Sequence, residues 1–191
     1  MPSSSLPRLE LSEFSPTLAA ALEPRLKRLG YLGEFFQCCA HQPRALAAFI
    51  ELTESSQDGL SKRLAELIAL TCSTSMGNDY ERNQHERLSV RLGFGRDWVA
   101  AVNALQPQAD SALTSEERSI QRLTLAVLET GGKAAGGLFE EAVRSLGPRA
   151  AMAILMMIGR CVAHGLIVNT LELAPPVPSI FQDGFNGTSA R

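Results

Sequence analysis

Neither sign of charge dominates this chain: 18 lysines and arginines stand against 20 aspartates and glutamates in 191 residues. With no basic excess and no basic run there is nothing to neutralise a phosphate backbone, which excludes nucleic acid as a partner. The four cysteines, Cys38, Cys39, Cys72 and Cys161, include no Cys-x-x-Cys spacing and are too sparse for a secreted disulfide scaffold. Free thiols in a reducing compartment are expected. Persuasive period-two alternation bounded by turn residues is also missing, so no strand is expected. Met1 to Glu10 holds neither a basic segment nor a long apolar core. No signal peptide is read there, and the cytoplasm is the expected location. The longest apolar stretch, 150–168, meets Arg160 and His164 before it reaches the ~20 apolar residues of a membrane span. A buried or subunit-interface helix is expected instead, and no membrane partner.

Helical periodicity fills most of the rest. A chain of this length makes one domain that buries about 70% of its unfolded surface. Residues 1–15 read as an extended, Ser/Pro-rich arm, 16–173 as a single all-helical domain and 174–191 as a Pro-rich tail. Leu18, Leu22, Leu26 and Leu29 give the first helix its apolar face, with Gly30 as its stop. A short helix follows over 34–40, and Pro43 opens another towards Asp58-Gly59. Ser61 caps a helix facing the core through Leu64, Leu67, Ile68 and Thr71, and Asn78 caps the next, which Gly93 and Gly95 close. Residues 97–105 form a further helix, 107–111 a loop, and Thr114 with Glu117 a capping box. Gly131-Gly132 and Gly136-Gly137 bracket a turn before a helix over 138–146, and Pro148 starts a long apolar helix reaching Leu173. The tail is expected to pack as a strap, anchored by Phe181 and Phe185, onto this chain or a neighbouring subunit.

The chemistry concentrates between Glu66 and His85. On the helix after Asn78, the residues Glu81, His85, Leu88 and Leu92 fall on one stripe, which places an acid and an imidazole on a face expected to be covered. Buried polar groups need partners or a task. Asn78 and Glu81 match the two ends of a capping box, and Asp79 suits the first turn of a helix. Glu81 one turn before His85 can also fix the imidazole tautomer and raise its basicity, which makes a proton-transfer unit. Glu66 has two possible partners, Lys62 one turn earlier or His85 across the junction. Ser73 shares the face of Glu66, whereas Cys72 points elsewhere. Glu66, Glu81 and His85 lack the His-x-x-x-His or cysteine pair of a strong metal site, so neither metal nor cofactor is expected. His41 and His164 have no partner the sequence can place and read as structural or interface residues.

This spacing resembles the carboxymuconolactone decarboxylase and alkylhydroperoxidase-D-like superfamily. Its peroxidases carry a helix glutamate, a Cys-x-x-Cys pair opening the next helix, and a histidine four residues past the second cysteine. Glu66 matches the glutamate and His85 the histidine, whereas the cysteine positions fall on Asn78 and Glu81. The resemblance implies an all-α, multi-helix alkylhydroperoxidase-D-like domain that assembles into homo-trimers or hexamers. A thiol peroxidase needs a low-pKa thiolate and a resolving thiol, which Asn78 and Glu81 cannot supply. The decarboxylase branch, which works without the pair or a metal, implies a cofactor-free acid/base lyase for a small carboxylate or lactone. His85 would be the general acid/base, Glu81 its orienting partner, Glu66 a second proton carrier, and Asn78 and Tyr80 substrate contacts. The alternatives are an alkylhydroperoxidase-like antioxidant and a non-catalytic scaffold in which a cap and a buried network fill the former site.

Overall fold

A computed structural model describes residues 5–109, 112–185 and 187. Parts of the expected arm (1–4), loop (110–111) and tail (186, 188–191) lie outside the described residues. Among those described there are nine α-helices and no strand: α1 (Pro16–Leu29), α2 (Glu34–Cys39), α3 (Pro43–Ser55), α4 (Lys62–Ser75), α5 (Asp79–Arg91), α6 (Arg96–Asn103), α7 (Ser115–Thr130), α8 (Gly136–Thr170) and α9 (Ile180–Asp183).

The punctuation follows local chemistry. Ser15 and Ser61 accept the first free amides of α1 and α4, and Gly30 ends α1 with a left-handed φ of 79° that a side chain would strain. Thr114 and Glu117 cap α7 reciprocally, and Glu117 also accepts from the Trp98 indole at 2.9 Å. Two boundaries differ from the sequence expectation. Helix α6 stops at Asn103, because Leu105 turns to a φ of 53°. The helices expected on either side of Gly147 run together as α8 across a kink at that residue (φ 82°, ψ 163°), and α8 ends at Thr170 rather than Leu173.

Two apolar cores result. The larger lies among α4, α6, α7 and α8, with Leu67, Ile68, Val99, Val102, Leu123 and Ile154 fully buried. The smaller joins α1, α2 and α3 to Tyr80 of α5 and Val168 of α8. Residues before α1 belong to it: Phe14 is buried, and Arg8 pairs with Glu34 at 2.6 Å. Helix α8 is long and apolar enough by composition to cross a membrane, yet more than half of that stretch is buried inside the domain. Its inward residues, among them Ile154, Met157, Ile158 and Cys161, belong to the larger core.

Helix α5 departs from the expected stripe. Leu88 and Leu92 are 39% and 40% exposed, and the inward positions go instead to Asn83, Glu86 and Ser89. These polar residues can be buried because each finds a partner. Glu86 accepts from Asn103 (2.8 Å), from the Ser179 hydroxyl (2.6 Å) and from the Ile180 amide (3.1 Å), while Asn83 donates to the Val177 carbonyl at 3.0 Å. The segment after α8 is thereby strapped over α5 of its own chain. Ile180 and Phe185 anchor it, and Phe181, expected as an anchor, is 48% exposed.

Candidate functional site

Three helices deliver the polar cluster. The Asn78 side chain accepts from the Glu81 amide at 3.1 Å, as an N-cap should. The reciprocal half of a capping box is missing, since the Asn78 amide donates to the Ser73 carbonyl at 2.8 Å. Glu81 is therefore free to turn its carboxylate away from the helix start and into the domain. There it meets the Arg160 guanidinium and His164 Nδ1 at 3.2 Å, both from α8. Asn78 Nδ2 lies 3.4 Å from both Glu81 Oε2 and His164 Nδ1. The His164 ring is tilted against Phe35 of α2, centroids 4.3 Å apart.

Glu66 takes the partner across the junction. Its Oε2 accepts from His85 Nδ1 at 2.8 Å and from the Ser89 hydroxyl at 3.3 Å, so Lys62 is not its counter-ion. The other imidazole nitrogen, Nε2, faces Glu81 Oε1 at 3.6 Å, beyond hydrogen-bond length. Glu66 and Glu81 are buried, and the His85 side chain keeps 19% of its surface.

The electrostatics follow from this layout. Burial works to lower the His85 pKa, but the charge and hydrogen bond of Glu66, joined by Glu81, outweigh it and raise it to about 10. His85 is an imidazolium at neutral pH. Burial likewise works to raise Glu81, and Arg160 and His164 overcome it, holding the carboxyl well below its ordinary range. Glu81 thus stands between the Arg160 guanidinium and the His85 and His164 rings, and Glu66 holds the far side of His85. Among the described residues no three His, Cys, Asp or Glu side chains are grouped to hold a metal ion, and Arg160 occupies the Glu81 carboxylate.

Of the residues expected from sequence, Glu66, Asn78, Glu81 and His85 come together. Tyr80 is turned elsewhere: its hydroxyl accepts from the Phe35 amide at 3.3 Å in the smaller core. Tyr80 also borders a cleft of about 460 Å³ shared with Gly77, Asp79 and Asn169. Another cleft, of about 440 Å³, lies between Arg82, Asn103 and Phe181. Neither is lined by His85. His41 is structural, with Nε2 2.9 Å from the Pro7 carbonyl. His164 is not a bystander, and Arg160 was absent from the expected set. The signal for both lay in their i, i+4 spacing on a helix that otherwise lacks charge from 150 to 170.

Comparisons with known proteins give a family match over part of the chain and a likeness of fold. Residues 43–112, which contain Glu66 to His85, match the carboxymuconolactone decarboxylase family. No curated protein matches the chain. Among solved structures, the debrominase Bmp8 superposes with a TM-score of 0.77 at 19% identity, covering 92% of this chain and 94% of its own. Bmp8 in complex with 2,3,4-tribromopyrrole gives 0.76 at 20% identity, covering 90% and 91%. The alkylhydroperoxidase AhpD core of an uncharacterized peroxidase-related protein from Ralstonia eutropha JMP134 gives 0.76 at 19% identity, covering 91% and 94%. At these identities the likeness to the solved structures is one of fold.

Proposed function

We propose that this chain, whose fold is alkylhydroperoxidase-D-like and whose residues 43–112 belong to the carboxymuconolactone decarboxylase family, is a cofactor-free acid/base enzyme that delivers a proton to carbon in a small cyclic carboxylate or lactone. The observation that carries the reading is the division of labour on His85: Nδ1 is pinned by Glu66 at 2.8 Å, while Nε2 faces Glu81 across the longer distance of 3.6 Å. An imidazolium held in this way donates from Nε2 and keeps Nδ1–H on Glu66, so the tautomer left behind is fixed. In a decarboxylation the carbon–carbon bond to the departing carboxylate breaks, its electron pair passes into the conjugated ring, and His85 protonates the carbon that holds the charge. Solvent then restores the proton through the exposed edge of the ring. The neighbour that binds a brominated pyrrole supports a small planar ring as the substrate shape.

Two readings compete. A thiol peroxidase of the family type is disfavoured, because Asn78 and Glu81 stand at the cysteine positions. A non-catalytic scaffold is favoured by one observation, the burial of Glu66, Glu81, Arg160 and His164. Screening small lactone carboxylic acids in deuterated water separates the readings. The enzyme is expected to place deuterium at the protonated carbon, and His85→Gln is expected to slow turnover about a hundredfold. A folded His85→Gln protein with unchanged turnover removes His85 from the reaction, and no turnover of any ring acid leaves the scaffold.

The reading extends to assembly and location. Met152, Met156, Gly159, Ala163 and Leu166 form an exposed, uncharged seam on α8 with alternating steps of four and three residues, the repeat of helix-to-helix packing. A second copy of this chain is its proposed occupant, giving a homo-trimer or hexamer in the cytoplasm, with a small-molecule substrate as the other partner. Light scattering is expected to show the assembled mass for the parent and a protomer for Met156→Lys. An unassembled parent at micromolar concentration rejects the assignment.

A further inference from the structure

The cleft of about 440 Å³ is built by residues outside the proton-transfer cluster: Thr74 from α4, Arg82 and Glu86 from α5, Asn103 from α6, and Ser179 and Phe181 from the strap. A space of that volume takes a small organic molecule. Helices α4 and α6 both end beside it, at Ser75 and Asn103, and the C-terminal end of a helix carries partial negative charge. To this the cleft adds the Glu86 carboxylate, which is 1% exposed. Glu86 Oε2 accepts from the Ser179 hydroxyl and the Ile180 amide, and Oε1 accepts from Asn103 at 2.8 Å. Arg82 Nε comes no nearer to Oε1 than 3.6 Å, beyond hydrogen-bond length. A carboxylate accepts about four hydrogen bonds, so Oε1 has room for one more donor. The neighbouring hydroxyl protons are already committed, that of Ser179 to Glu86 and that of Thr74 to Asn103 Oδ1 at 3.1 Å. What these groups offer a visitor is lone pairs. Arg82 also lines the cleft, and Asp79 at 2.8 Å offsets its charge. Phe181 supplies an aromatic ring that already holds the Arg96 guanidinium 5.2 Å from its centroid, as ring faces hold cations.

We propose that this cleft is a binding site for a small aliphatic ammonium ion, separate from the site of His85. The ammonium donates to Glu86 Oε1, Asn103 Oδ1 and the Thr74 hydroxyl oxygen, three acceptors for the three N–H bonds of a primary ammonium. Its methylene chain lies against Phe181 and the exposed Ala100, which also lines the cleft. A carboxylate is refused, because it would meet a buried carboxylate and two helix C-termini with no donor hydroxyl turned towards it. A bare divalent metal ion demands six or more oxygen ligands drawn close around it, and here a single carboxylate lines the wall of a much larger space. Arg82 and Glu86 alternate along α5 with Glu81 and His85, so a ligand seated here fastens the helix that carries the proton-transfer pair without touching that pair.

The experiment titrates the full-length protein by calorimetry with putrescine, a four-carbon diamine, and in separate arms with succinate, the diacid of the same length, and with potassium chloride and magnesium chloride at matched ionic strength. Putrescine is expected to give saturable heat in the millimolar range with one ligand per chain, and to raise the melting temperature as its concentration rises. The other three arms are expected to give neither. Phe181→Leu should weaken putrescine binding about two- to fivefold through the lost ring face. Ala100→Lys changes an exposed helix position, so the fold is kept, and the added charge should weaken binding about tenfold. The proposal is overturned if putrescine gives no saturable heat, if succinate binds as well as putrescine, if either salt reproduces the putrescine signal, or if folded Ala100→Lys binds putrescine as the parent does.

Discussion

Arg160→Met is expected to unfold on the order of 10 °C below the parent, a loss of about 3–5 kcal/mol. Arg160 is 4% exposed, and its guanidinium is the cation in direct contact with the buried Glu81 carboxylate. His164 at 3.2 Å and Asn78 Nδ2 at 3.4 Å remain after the substitution, but the cluster is left with two acids facing the His85 charge. Breaking one partner of a buried pair costs far more than replacing both, because the survivor keeps its desolvation penalty. The double variant Arg160→Met, Glu81→Gln is accordingly expected to recover part of the loss, and a double-mutant cycle followed by thermal denaturation measures the coupling. A single variant within about 1 kcal/mol of the parent would show that the pair is solvated in solution.

The second large effect is on the pH dependence of stability. The folded-state pKa of His85, about 10, lies above the value near 6.5 of an unfolded histidine. Its contribution is therefore fully present below about pH 6.5 and is lost as pH rises through about 10. Glu81 works in the opposite sense. Its carboxyl is held well below the ordinary range, so its contribution is present above about pH 4.5 and is lost as pH falls through the folded value. Both contributions are complete only between these two limits, and the stability maximum is expected at about pH 5–6. The alkaline limb should amount to about 3 kcal/mol once the open edge of the imidazole is allowed for. The charged and titratable groups around His85 are Glu66 from α4, Glu81 on its own helix, and Arg160, Cys161 and His164 from α8. Urea denaturation across pH 5–10 reads the effect, and His85→Gln should flatten the alkaline limb. An alkaline limb that survives this substitution assigns the titration to another group.

The fold was legible because its helices are bounded by strong local signals: Ser61, Asn78 and Thr114 at starts, Gly30 and Gly131 at stops. Each acts within four residues, so a single sequence records it. The exposure of α5 was not legible, because periodicity assigns the buried face to Leu88 and Leu92, whereas partners from the strap and α6 allow Asn83 and Glu86 to take it. Those partners lie 17 to 94 residues away, beyond the reach of any helical period. The same distance hid half of the site. Glu66 and His85 stand 19 residues apart on adjoining helices and could be paired by spacing, but Arg160 lies 79 residues from Glu81 and His164 lies 86 from Asn78. Their only local mark was a guanidinium and an imidazole one turn apart within an apolar helix. The direction of Tyr80 was set by an amide on α2, which the sequence around Tyr80 does not contain.

The clasp of Glu86 on Ser179 and Ile180 also sets an order of events during synthesis. Helix α5 presents a buried carboxylate two of whose three partners, Ser179 and Ile180, are made more than ninety residues after it, and the same helix holds His85, whose cluster is completed from α8. At about 5–20 residues per second, a ribosome needs several seconds to travel from α5 to the strap. For that interval the emerging helix carries acids without their counterparts, and a chaperone would meet it in that form. Assembly of the cluster is consequently a late event, and a chain cut short before Ser179 would keep every residue of the proton-transfer site yet lack the fastening that seats the helix bearing His85.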